Sequence, residues 1–512
     1  MSAKSGSPNI LLIQVDQMTA KALPVYGHSQ VIAPNITALA QSGTLFQNAY
    51  SNFPLCAPSR MSMLSGRFAT SIEVWDNASE AAPSQPTLMH YLRDMGYATI
   101  LSGKMHFVGP DQLHGYEERI TTDIYPSNYA WTPNWEVGEG DRPTGINLTG
   151  VTEAGTCARS LQLDYDEEVE YFATRKLYDL ARFEKRPFFL TVSFTQPHSP
   201  FVTRQEQWDK YDHEAIALPE VPQIPVEEMD PMSRWIYHAH AGDQITPTDE
   251  EIRTARHAYY SMISDLDDRV GRLLKVLKEC DLYENTIIVF TSDHGDMLGE
   301  RGQWYKQLFY EWSARVPLII AWPGRFAPQK VEANVSLVDL MPTLLDLVSD
   351  SAPPDTVDHL DGKSLAAFIR TGKDADWNDT VISEYTGEGT CAPCRMVKEG
   401  SYKYIYTHGH PDILYDLASD PLELVNKASE LPSVLERLKK IALDGWDPED
   451  INKRILQHQK QRLFINRVTG GEPVWAYKVL ENDDQRYVRK AGAVQTKALS
   501  RYPRFSSKKT TG

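Results

Sequence analysis

Cysteine is scarce: five residues at 56, 157, 280, 391 and 394, scattered and odd in number, do not make a disulfide framework in a chain of 512 residues. The thiols are therefore expected to be reduced, and the fold must be held by its core. Long apolar runs are missing too. No stretch approaches the ~20 residues that cross a bilayer, and the N-terminal region lacks a basic segment followed by an apolar one. This reads as a soluble, unexported, cytoplasmic chain, in which Asn35-Ile36-Thr37 and Asn147-Leu148-Thr149 have no meaning as glycan acceptors. Positive charge is in deficit, 52 Lys and Arg against 69 Asp and Glu, and the resulting −17 argues against nucleic acid or an anionic membrane as partner. An anion bound here must meet a local cationic pocket working against that field. Internal repeats and low-complexity runs are also absent. What is abundant is core-forming material, 41% apolar and 10% aromatic, in a length that suggests two or more lobes.

Residues 9–16, 187–198 and 285–296 share one grammar: a β-branched and aromatic run that stops at polar, turn-forming residues. Between them lie amphipathic stretches, notably 252–279, with apolar residues at three-and-four spacing. Strands alternating with helices predict an α/β fold, a large, mainly parallel sheet sandwiched by helices. In such sheets ligands sit beyond the carboxyl ends of the strands, and Asp16, His198, Asp293 and His294 all fall there. After residue 370 the texture changes. A linker-like TGKDADWND precedes short strands and a helix near 432–442, which fits a smaller α+β domain. We expect a catalytic α/β domain over 1–375, the smaller C-terminal domain over 376–446 and an extended tail over 447–512. The tail, with Trp475 and Tyr487, would reach the main body or another subunit in a homodimer or homotetramer.

Asp16-Gln17 and Asp293-His294 bring carboxylate, amide and imidazole to two strand ends, a hard-donor set suited to Ca²⁺, Mg²⁺ or Mn²⁺. Each pair alone reads equally as a turn or helix cap. Cys56 precedes Pro58-Ser59-Arg60 and a short helical stretch, so its side chain falls beside a positive helix end that favours a thiolate; a small buried core residue is the plainer reading. Soft sulfur beside a hard dication is chemically odd. The atom that meets the metal at position 56 is better an oxygen.

Cys56-Ala57-Pro58-Ser59-Arg60, followed by LSGR at 64–67, resembles the C-x-P-S-R motif of the type I sulfatases, members of the alkaline phosphatase superfamily. VDQ at 15–17, GKMHF at 103–107, TQPH at 195–198, TSDHG at 291–295 and Lys306 stand in that family's order. The resemblance implies that a maturation enzyme oxidises Cys56 to formylglycine, whose hydrate is the nucleophile. It implies a metal shell of Asp16, Gln17, Asp293, His294 and the modified Cys56. Arg60, Lys104, His106, His198 and Lys306 would supply cations and move protons, with Asn77 donating a neutral hydrogen bond. Gln17 and His294 depart from the common Asp-Asp and Asp-Asn pairs and look like the variant of phosphonate monoester hydrolases and choline sulfatases.

An aromatic-dense segment, Tyr129 with Trp131 and Trp135, and two acids, Glu384 and Glu388, suit a quaternary ammonium group held by cation–π and charge contacts. Trp131 would be the cage wall and either Glu384 or Glu388 the counter-charge; packing of the tryptophans and strand-end roles for the acids are the alternatives. The substrate this implies is choline sulfate. Two other readings stand beside it: a phosphonate or phosphate ester hydrolase with the same core, and a non-catalytic metal-binding protein with an unmodified thiol. Cys391-Ala-Pro-Cys394 lacks the second C-x-x-C of a zinc site.

Overall fold

The computed structural model describes residues 7–349, 354–469 and 502–503. Asn9–Val15 has too few polar side chains to show either face to water, and it becomes the central strand β1, buried throughout. The other strands follow as β2 (Thr44–Tyr50), β3 (Ala98–Gly103), β4 (Glu118–Arg119), β5 (Gly155–Thr156), β6 (Phe188–Ser193), β7 (Val202–Thr203) and β8 (Thr286–Ser292). Then come β9 (Arg315–Val316), β10 (Leu318–Ala321), β11 (Gln329–Ser336), β12 (Thr380–Tyr385), β13 (Cys394–Glu399), β14 (Tyr402–Thr407) and β15 (Ile413–Asp416).

The main sheet has nine strands in the order β11-β2-β10-β8-β1-β6-β3-β4, with β9 pairing on β2. Strands β8, β1, β6, β3 and β4 are mutually parallel, whereas β10 runs against both β8 and β2. Register places Ile10 between Phe189 and Ile287. The alternation of side chains then divides two cores. Leu11, Ile13, Leu190 and Ile288 pack under the helices Leu161–Phe183 and Asp249–Glu279, while Ile10, Leu12, Phe189 and Val289 pack under Cys56–Ser65, Leu88–Asp94 and Leu340–Leu347. The long helix starts three residues before the periodic stretch does, because Thr248 and Glu251 form a reciprocal cap there.

The C-terminal sheet is antiparallel, β12-β13-β14-β15. Helix Pro432–Leu443 closes one face over Val397, Tyr404 and Leu414. The ammonium of Lys403, fully buried, reaches Glu311 (2.8 Å), Glu423 (2.7 Å) and the Phe309 carbonyl (2.9 Å), tying this sheet to the main body. The region expected as an extended arm begins instead with a helix, Pro448–Thr469, whose Ile451 and Ile455 bury against Trp75, Trp135 and Trp446. Trp475 and Tyr487 lie outside the described residues. All five cysteines are free, and among the described residues no helix is long and apolar enough to cross a membrane.

Candidate active site

Because β8, β1, β6 and β3 are adjacent and parallel, their carboxyl ends meet on one edge. Asp293 and His294 follow β8, Asp16 and Gln17 follow β1, His198 follows β6, and Lys104 and His106 follow β3. Helix Cys56–Ser65 leaves β2 on the same edge with Cys56 as its first residue, and all its residues are buried. The backbone is strained here. Gln17 (φ 70°), His106 (φ 58°), Tyr305 (φ 64°) and Gln307 (φ 81°) are left-handed without being glycine. Gly103 is glycine of necessity, since a Cβ there would stand 2.0 Å from the Ser193 carbonyl oxygen.

One donor atom from each of Asp16, Cys56, Asp293 and His294 lies within 4.8 Å of the others, and all four residues are buried. Cys56 Sγ is 3.3 Å from His294 Nε2 and 3.8 Å from Asp16 Oδ1. His294 Nδ1 donates to the Gly295 carbonyl (3.1 Å), which turns Nε2 towards the Oδ1 atoms of Asp16 and Asp293, each 3.6 Å away. The outer oxygens are neutralised separately. Arg60 Nε donates to Asp293 Oδ2 (2.8 Å), and the Lys104 ammonium pairs with Asp16 Oδ2. Each carboxylate thus gives one oxygen to a cation and points the other inward. With an oxygen in place of sulfur at position 56, such a donor set fits a hard divalent cation.

Burial opposes ionisation at this centre and local charge overrides it. The Cys56 thiol is pushed up by burial, yet Lys104, Lys306 and His294 draw it well below the usual thiol range. Asp293, also disfavoured by burial, is held below the ordinary carboxylate value by Arg60 and then His294. Burial lowers His106, leaving a neutral imidazole beside Cys56. Arg60 spends its remaining reach on the Lys104 carbonyl (2.7 Å) and Ser193 Oγ (2.8 Å). Arg60 and Lys104 do not line the cleft; each serves a carboxylate. Gln17 is similarly engaged. Its Oε1 accepts from Lys306 Nζ (2.8 Å) and its Nε2 donates to Asp296 (2.6 Å), so a second lone pair on Oε1 is what it offers an ion.

Cys56, Asn77, His106, Trp131, His198, Lys306 and Glu388 line one narrow cleft. His198 Nδ1 donates to the Ser199 carbonyl (2.7 Å), so Nε2 accepts from Lys306 Nζ at 2.6 Å. Asn77 links the two ends of the cleft: Oδ1 accepts from Ala57 N–H (3.0 Å) and Nδ2 donates to Glu388 Oε1 (2.9 Å). Glu388 Oε2 is buried without a hydrogen-bond partner among the described residues, and burial, reinforced by Asp76, raises this carboxyl to about 8. Glu384, the other acid expected there, does not line the cleft. It lies beneath the sheet edge, accepting from Thr70 N–H (3.0 Å) and Thr70 Oγ1 (2.8 Å), with Arg395 at 3.4 Å.

Tyr125, absent from the sequence reading, packs its ring 5.4 Å from Trp131 and 5.2 Å from His106, while its hydroxyl meets His198 Nδ1 at 3.2 Å. It stands four residues before the aromatic-dense segment that starts at Tyr129. Gln307 was also missed, although it follows Lys306 directly; its backbone N–H donates to the Pro54 carbonyl (3.0 Å).

Residues 8–351 match the family model described as sulfatase, and residues 299–443 match N-sulphoglucosamine sulphohydrolase, C-terminal. The choline-sulfatase of Rhizobium meliloti (strain 1021) is 41% identical over 98% of this chain and 99% of its own length. Arylsulfatase K of Gallus gallus is 32% identical over 90% of this chain and 86% of its own. Among solved structures, the phosphonate monoester hydrolase of Agrobacterium radiobacter superposes with a TM-score of 0.69 at 25% identity, covering 88% of this chain and 96% of that one.

Proposed function

Since the chain belongs to the sulfatase family and is a sulfuric ester hydrolase, we propose that its substrate is choline-O-sulfate, hydrolysed to choline and sulfate. One observation carries this reading. The cleft that holds Cys56, His106, His198 and Lys306 is also lined by Trp131, Tyr125 and Glu388, whose Oε2 has no hydrogen-bond partner among the described residues, which suits a group that cannot donate hydrogen bonds.

Asp16, Asp293, His294 and an oxygen at position 56 would hold one divalent cation, Ca²⁺, Mn²⁺ or Mg²⁺, whose charge would polarise the sulfate and lower the pKa of that oxygen. Conversion of Cys56 to formylglycine by a maturation enzyme would supply, on hydration, two hydroxyls on one carbon. Around these, the chain's own groups have separable tasks. Arg60 fixes Asp293 and Lys104 fixes Asp16. Lys306 Nζ, oriented by Gln17 Oε1 and His198 Nε2, delivers a proton to the departing choline oxygen and is reprotonated from solvent before the next turnover. His106, neutral and beside position 56, accepts the proton whose loss lets sulfate be expelled. A homodimer or homotetramer joined through the tail is consistent with the exposure of Phe464, Ile465 and Val468 on the last helix.

The test is a comparison of kcat/KM on choline sulfate, an aryl sulfate and an aryl phosphonate, with intact-peptide mass spectrometry over residues 54–60. Choline sulfate should be preferred, and position 56 should have lost its sulfur. A cation–π contact is worth about 2 kcal/mol when desolvated, so Trp131→Ala should raise KM for choline sulfate about thirtyfold while sparing the aryl sulfate. Equal losses on both would refute the cage. Preference for the aryl phosphonate favours the second reading, to which the likeness to the phosphonate monoester hydrolase lends weight. A free thiol in protein from the native host favours the non-catalytic one.

Glu388 makes the ammonium end sensitive to pH. With its carboxyl near 8, the free site is largely protonated at neutral pH, and a bound cation favours the carboxylate. Choline binding below about pH 8 should therefore release a proton, and Kd should fall as pH rises towards that value and level off above it. Calorimetry of choline in buffers of different ionisation enthalpy measures the release directly. In Glu388→Gln the slope should vanish.

A further inference from the structure

The ammonium end is built from three segments outside the strands: 73–79 with Asn77, 129–135 with Trp131, and 386–388 with Glu388. None of them lies inside the main sheet. They cross-link one another, since Thr386 Oγ1 donates to the Trp75 carbonyl (2.8 Å) and Trp135 Nε1 to the Gly387 carbonyl (3.4 Å). Two of them, 73–79 and 129–135, also rest on the helix Pro448–Thr469. Arg462 Nη1 and Nη2 form two parallel hydrogen bonds to Asp76 (2.5 and 2.6 Å), and Asp76 is fully buried. Gln459, one turn earlier, accepts from the Trp135 backbone N–H (3.0 Å) through Oε1. Arg454 lies 5.2 Å over the Trp75 ring, with His458 edge-on to the same ring at 5.8 Å.

We propose that Arg462, with Gln459, is a positioning residue for the cationic end of the substrate. Arg462 clamps Asp76, which fixes the neighbouring Asn77 amide and so the orientation of Glu388; Gln459 holds the backbone that follows Trp131. This rests on the choline sulfate reading. The helix touches no reacting group: its effect passes through Asn77, Glu388 and Trp131. Asp76 needs no cation for its own turn, because Ala78 N–H (2.9 Å) and Ser79 Oγ (3.2 Å) already satisfy it locally. What the bidentate pair adds is fixed placement of that turn relative to Glu388, and a positive charge that balances Asp76 behind the carboxyl it disfavours.

Two variants test this in the full-length enzyme. Gln459→Leu is nearly isosteric and faces the apolar cluster of Trp75 and Trp135. The double variant Asp76→Asn with Arg462→Gln keeps a neutral hydrogen-bonded pair in place of the charges. Each is measured for KM and kcat on choline sulfate and on an aryl sulfate, and for Kd of tetramethylammonium. The expected result is a KM for choline sulfate and a Kd for tetramethylammonium raised about fivefold to tenfold, with kcat retained and the aryl sulfate unaffected within about twofold. Equal losses on both substrates, or no change in either, overturn the inference; if the double variant does not fold, Gln459→Leu decides alone. Wild-type enzyme that does not bind tetramethylammonium overturns the ammonium reading and this inference with it. Wild-type enzyme that binds it while the variants bind it equally well overturns the inference only.

Discussion

Cys56→Ser enzyme should attack its substrate once and then stop. Serine retains one hydroxyl at the first position of the helix, beside His294, Asp16 and the cations that depress the native thiol, so the ester can still be attacked. It has no second hydroxyl on the same carbon. The sulfate ester that forms therefore has no internal group to expel it, and His106 has no proton to take. Intact mass after incubation with choline sulfate should show one sulfate group retained per chain, on the peptide 54–60, with one equivalent of choline released in a burst. Steady-state turnover should fall by a factor on the order of 10⁴ or more, the scale set by removing a catalytic nucleophile. Cys56→Ala should lose turnover to the same extent with no burst. Repeated turnover by Cys56→Ser with no trapped ester would mean that position 56 is not the attacking group.

Lys306→Met should discriminate between leaving groups. Choline departs as a poor alkoxide and needs a proton as the bond to sulfur breaks, whereas an aryl oxide carries its charge without help. Loss of a general acid costs about 10²- to 10⁴-fold, so kcat on choline sulfate should drop by that much and kcat on a nitrophenyl sulfate by far less. The substitution leaves His198 Nε2 and Gln17 Oε1 each short of one donor, so metal content should be measured alongside to separate proton delivery from loss of the ion. A uniform loss across leaving groups, with metal retained, would assign Lys306 to sulfate binding instead.

The α/β class and the strand ends were legible because burial writes itself into composition. Residues 9–16, 187–198 and 285–296 contain the observed β1, β6 and β8, since a strand covered on both faces tolerates almost nothing polar until it emerges at the site. The metal-facing donors stand where those runs end. Less regular backbone was not legible. Tyr125 and Gln307 sit in loops with no periodicity to mark which way a side chain points, and helix Pro448–Thr469 is too polar to be distinguished from an extended arm. The smaller domain's strands were anticipated at β12, β13 and β14, but β15, only four residues long, was not.

By itself the sequence determined the chemistry available: a Cys-x-Pro-Ser-Arg helix start, acids and imidazoles at strand ends, and lysines enough to balance them, all properties of residue type and order. Only the tertiary structure decided what each group faces. Arg60 and Lys104 turn to carboxylates, Gln17 lies between Lys306 and Asp296, and Glu388 meets the cleft while Glu384, four positions away, is consumed by Thr70 and Arg395. The physical reason is that β12 ends at Tyr385: Glu384 is fixed on a paired strand, and Glu388 belongs to the turn that carries the chain to the site.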